Sequence, residues 1–133
     1  MANTTFSGPV RSENGFEQIT KNATTGAITT SATYGASITG GVQQLSGAGA
    51  VDITNLVTEI TTTGADALTL ANGSAGQIKI ITMVVDGGDG TLTPATFANG
   101  TTITFNDAND TVALLYANTI GWVIISNSGA TVA

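Results

Sequence analysis

From Val51 onward, short runs of Val, Ile, Thr and Leu alternate with Gly, Asn and Asp, and no useful length repeats at the roughly 3.6-residue period of a helix. Val51–Ile53 and Val57–Thr61 alternate loosely with the period of a strand, and Ala67–Leu70 is followed by the Asn72-Gly73 turn. The run from Gln77 to Val85 is apolar on both faces, as expected of a central strand between layers. Asp86-Gly-Gly-Asp-Gly90 ends it sharply. Pro94 marks Leu92–Phe97 as an edge strand or loop, because proline cannot donate to a ladder. Thr102–Phe105 follows the Asn99-Gly100 turn. Val112–Tyr116 and Trp122–Ser126 flank Ala117–Gly121 and read as a hairpin. Runs recurring about every 10 to 15 residues predict an all-β fold: an antiparallel β-sandwich, jelly-roll-like, or a small barrel.

The rest of the chain is organised differently. Residues 1–20 read as an extended N-terminal arm, with isolated Phe6, Val10, Phe16 and Ile19, an extended Gly8-Pro9 step and a tight turn at Asn14-Gly15. Residues 21–50 are rich in Thr, Gly and Ala and read as a linker or edge-strand region. Residues 51–133 carry the sandwich core.

Composition narrows the function. Of 133 residues, 25 are Thr and 17 Gly, with no Cys and no His. No disulfide framework or thiolate zinc site can form, and the commonest general base and transition-metal ligand is missing. Net charge is −6, which speaks against phosphate-led nucleic-acid binding and polybasic membrane attachment. No phosphate-binding glycine loop occurs. No cofactor is expected, and an enzyme would have to work with Ser, Lys, Asp and Glu alone. The opening MANTTFSGPV lacks a basic region and an apolar stretch, so no export signal is expected. A threonine-rich, lysine-poor chain without an export address suits a virus particle assembled inside a cell and released by lysis, or a non-classical export route.

Two loops carry paired acids. Asp86 and Asp89 in DGGDG, and Asp107 and Asp110 in NDAND, use residue types found in calcium loops. Neither matches an EF-hand spacing, and strand-connecting turns explain both more simply. Trp122 reads as the largest plug of an aromatic-poor core rather than a surface anchor. The arm holds the only arginine. Arg11 lies between Phe6 and Phe16, with Pro9 limiting the entropy lost on docking, so Phe6, Pro9, Val10, Arg11 and Phe16 form a candidate partner-binding segment. A frayed terminus, or a local Arg11–Glu13 pair, is the rival reading. About 83 residues of small aliphatic strands make a thin core, and chains of that kind often gain stability by association.

Certain phrases of the sequence resemble a known family. MANTTFSGPVRSENGFEQITKNATTGAIT is similar to the opening of small virion structural proteins of tailed bacteriophages, marine and cyanobacterial ones in particular. The runs LTLANGSAGQIKIITMVVDGG and TLTPATFANGTTITFNDANDTVALLYANTIGWVIISNSGATV resemble a β-rich module of the same kind of protein. The resemblance implies a capsid decoration (cement) protein: a β-sandwich-like homotrimer on the outer capsid surface, partnered by the major capsid protein and by itself, with no catalytic residues. A head-fibre or tail-fibre module binding a host receptor or carbohydrate is the alternative.

Overall fold

A computed structural model describes residues 16–34, 38–39 and 41–133. The chain divides into two units, Met1–Gly40 and Gly41–Ala133.

The first unit holds a three-stranded antiparallel sheet: β1 (Phe16–Lys21), β2 (Ile28–Tyr34) and β3 (Ile38–Thr39), in that order. Asn22 turns the β1–β2 hairpin. Its Oδ1 accepts from the backbone N–H groups of Thr24 and Thr25, both at 2.9 Å, and Gly26 supplies the positive φ that closes the loop.

The second unit is two five-stranded sheets packed face to face. Its strands are β4 (Val42–Ser46), β5 (Gly49–Val51), β6 (Val57–Thr61), β7 (Asp66–Leu70), β8 (Ile78–Val85), β9 (Gly90–Pro94), β10 (Ile103–Phe105), β11 (Thr111–Ala117), β12 (Gly121–Ser128) and β13 (Thr131–Val132). One sheet runs β12-β11-β8-β6-β4 and the other β13-β10-β9-β7-β5. The sandwich is the expected architecture, but its sheets are mixed rather than wholly antiparallel.

The parallel part has a simple cause. From β4 to β9 the chain crosses to the opposite sheet at every link, so each new strand lies beside the strand two before it. β4, β6 and β8 stack in parallel in one sheet, and β5, β7 and β9 in the other. The result is three coils of a short solenoid. The end of the chain then closes the stack with antiparallel strands: β11 and β12 against β8, β10 and β13 against β9.

Stacking lines up like residues. Leu45, Ile60 and Met83 form one inward row; Leu68 and Leu92, then Leu70 and Pro94, form others. Val51, Ile81, Val112, Leu114, Tyr116, Trp122, Ile103, Phe105 and Ala130 complete the buried core. Nearly all of these side chains are fully enclosed, as close-packed interiors require.

Pro94 ends the middle strand of its sheet, not an edge strand. Ala95 N–H bonds Leu70 O across to β7, so the nitrogen of Pro94 faces the β10 side. Pairing with β10 stops at Leu92, and the missing N–H therefore breaks no ladder bond. The β11–β12 hairpin lies where the sequence places it. Ile124, in phase with the buried Trp122, packs on the core, and a bulge opposite Ala113 and Leu114 leaves Ile125 unpaired and exposed.

Candidate functional site

The sandwich presents two outer faces of opposite character. On the β13-β10-β9-β7-β5 sheet the outward positions are small and mostly hydroxylic. Thr131, Thr104, Thr91 and Ala67 form one row across four strands; Thr93, Thr69 and Ala50 form the next.

The outer face of the β12-β11-β8-β6-β4 sheet is apolar. Val42, Val57, Ile80 and Ala113 line up across four strands, and Ile78, Leu115 and Val123 across three. Ile78 keeps 45% of its surface exposed and Val42 50%. One polar row borders this patch: Gln44 donates to Glu59, and the hydroxyls of Thr82 and Thr111 meet at 2.8 Å. The other members of these rows are half-buried, and contiguous, partly exposed apolar rows with a polar border mark an interaction surface. The sequence shows β8 as apolar on both sides; in the structure the second side is this exposed face, not a layer interface.

Phe6, Pro9, Val10 and Arg11 lie outside the described residues. Phe16 opens β1, where its backbone pairs with Tyr34.

The acidic loops are turns. In DGGDG, Gly87 N donates to Thr62 Oγ1 at 2.9 Å and Asp86 Oδ1 accepts from Gly88 N at 2.9 Å. The loop rests on the preceding coil's Thr62–Asp66 turn, and Asp89 O accepts from Asp66 N. In NDAND, Asp110 is almost wholly buried, and its Oδ2 accepts from the N–H groups of Asn106 and Asp107 at 2.9 and 3.1 Å. Asn109 takes the positive φ of 80° that the tight loop needs. Among the described residues no group of three or more acidic, His or Cys side chains is placed to hold a metal ion.

One buried polar cluster escaped the sequence reading. Lys79 points inward from β8 and is fully enclosed. Its Nζ donates to the backbone carbonyl of Asn55 at 2.7 Å. Burial pushes its ammonium down to about 8, against a smaller opposing pull from Asp52. Asp52 is held below its ordinary value, chiefly by the backbone N–H and then the hydroxyl of Thr54. Asn55 Nδ2 donates to Asp52 Oδ2. Beside this cluster, Gln43 Oε1 accepts from Thr58 Oγ1 and Asp52 N, both at 2.8 Å. The signal was in the spacing: Lys79 is in phase with Ile81 and Met83, so strand alternation alone turns it inward.

The chain matches no known family model and no curated protein sequence.

Proposed function

We propose that this chain is a non-enzymatic structural protein of a tailed-bacteriophage virion, a decoration protein that binds the outer capsid surface as a homotrimer and stabilises the head. The observation that supports association is the contrast between the two outer faces. A threonine and alanine face is well suited to water, whereas the apolar rows through Ile80 and Leu115 gain free energy when a partner covers them. The assignment to a virion rests on the sequence resemblance. In this reading one set of faces joins copies of the chain and the arm grips the major capsid protein. Many copies on a lattice then multiply modest contacts, and a ligand that binds only the mature shell stabilises it.

Leu115→Glu tests the apolar face. A carboxylate in the middle of a buried interface costs on the order of several kcal/mol. The variant is expected to remain folded by circular dichroism and to be monomeric in mass photometry at a concentration where the unmodified chain is trimeric. An unmodified chain that is monomeric under those conditions overturns the trimer.

Arg11→Ala tests the arm. Capsid binding is expected to weaken by more than the roughly 1 kcal/mol that an exposed ion pair is worth. Co-sedimentation with undecorated capsids reads the effect, and unchanged binding removes Arg11 from the interface. Retention on host-cell glycans without capsid binding would favour the fibre-module alternative.

A further inference from the structure

We propose that Lys79 and Asn55 become joined by an internal amide bond between Nζ and the side-chain carbon Cγ, with Asp52 carrying the proton. Three groups that such a reaction needs converge here, from one strand and one turn. The nucleophile is an amine enclosed in the protein and set against Asn55 itself, 2.7 Å from its backbone carbonyl oxygen. Only Cα and Cβ separate that carbonyl carbon from the carboxamide carbon. The leaving nitrogen, Asn55 Nδ2, is already hydrogen-bonded to the carboxylate of Asp52. That carboxylate is also the charged group whose field reaches the Lys79 amine.

A buried ammonium with one carbonyl partner among the described residues leaves donors unmatched, so the enclosure loosens its proton, and the neutral amine with its free electron pair becomes the main form as the pH rises past about 8. Asp52 is held ionised by Thr54 and can accept a proton. Asn55 Oδ1 occupies the space that a Cβ on Gly41 would take, within 2.0 Å of it, while Nδ2 is turned to Asp52.

The step balances within the protein. The Nζ electron pair adds to Cγ of Asn55, and the carbonyl π pair moves to Oδ1. The proton shed by Nζ passes to Asp52 and from there to Nδ2. The Cγ–Nδ2 bond breaks, its electron pair leaves with ammonia, and the Oδ1 pair re-forms the carbonyl. The products are one secondary amide and one ammonia, with no oxidant or reductant. In a chain without cysteine, this bond would tie the β5–β6 turn to the central strand, as a disulfide does elsewhere.

Intact mass and peptide mapping of the purified full-length protein test the proposal. The expected mass is below the sequence mass by one ammonia, with a branched proteolytic peptide containing both Lys79 and Asn55. Because the neutral amine is the nucleophile, raising the pH past about 8 favours reaction, and any unlinked fraction is expected to convert at pH 9. Asn55→Ala, which keeps the backbone carbonyl, and Lys79→Arg are expected to lack the branched peptide. Asp52→Ala is expected to fold and to remain at least ten-fold less linked. Full sequence mass after incubation at pH 9 overturns the proposal. So does an ammonia loss that maps to Asn14, Asn72 or Asn99, each of which precedes a glycine and can cyclise on its own backbone.

Discussion

Replacing Trp122 with alanine is expected to lower the unfolding free energy by about 3–5 kcal/mol, enough to cancel a large part of the stability of a domain this size. The indole is fully buried and is the largest enclosed side chain. It packs edge-on against Tyr116, with ring centroids 5.2 Å apart and planes at 73°. Its Nε1 donates to the carbonyl of Ala71 at 2.9 Å. Gly73 is glycine because the ring lies against it: a Cβ there would come within 2.9 Å of the indole. Alanine would therefore leave a cavity and an unmatched carbonyl together. Trp122→Phe separates the two, since it fills most of the space and strands only the carbonyl, at a cost of about 1–3 kcal/mol. Urea unfolding followed by circular dichroism measures both. Equal losses for the two variants would mean that the hydrogen bond, not the volume, dominates.

Gly88→Ala is expected to cost about 2–4 kcal/mol, combining backbone strain with overpacking. Gly88 has φ of 141°, a conformation that L side chains rarely adopt. A Cβ on it would lie 2.7 Å from the backbone carbon of Gly64, in the turn of the coil below. Backbone cannot step aside as a side-chain tip can, so the two coils would have to separate locally. Gly76 is the control. It has φ of 82°, but a methyl group there would meet no atom within 4 Å, so Gly76→Ala carries the strain without the collision. Its cost is expected to be about 1 kcal/mol. Thermal unfolding of the two variants side by side checks the difference; equal shifts would show that stacking distance is not limiting.

Much of the fold was legible in the residues. Alternation placed β6 at its observed bounds and the β11–β12 hairpin nearly so, because one face of each strand must be apolar to bury. Strand direction was not legible. Inward and outward alternation is identical for parallel and antiparallel neighbours, and short links such as Thr62–Ala65 look like hairpin turns. Here those links cross to the other sheet, and the parallel partner is supplied one coil later. Pro94 misled for a related reason: proline excludes an interior ladder position, yet the final residue of a central strand can face a neighbour that has already ended.

The candidate sites divide along the same line. The turn reading of DGGDG and NDAND follows from glycine and Asp chemistry and agrees with the hydrogen bonds found. The apolar outer face could not be separated from a buried one, since Ile78 and Ile80 look alike in sequence whether or not a layer covers them. A lysine inside an Ile-rich strand shows its inward direction only through its phase with Ile81 and Met83.

The winding of the chain also sets an order in time. Parallel partners lie close in sequence, with Val57 15 residues after Val42 and Ile80 23 after Val57, so each coil can settle on the last while closing only a modest loop. The first coil has least to gain by itself: of the three residues of β5 only Val51 enters the core, and Gln43 on β4 bonds across to Ala50 O at that end. The largest side chain of the core, Trp122, belongs to the penultimate strand. During synthesis the coils would therefore wait, stacked but without their largest core side chain, for the β11–β12 hairpin. Cooperative stability would arrive only once β12 is in place, and loss of the segment from Trp122 onward would undo the sandwich rather than trim its edge.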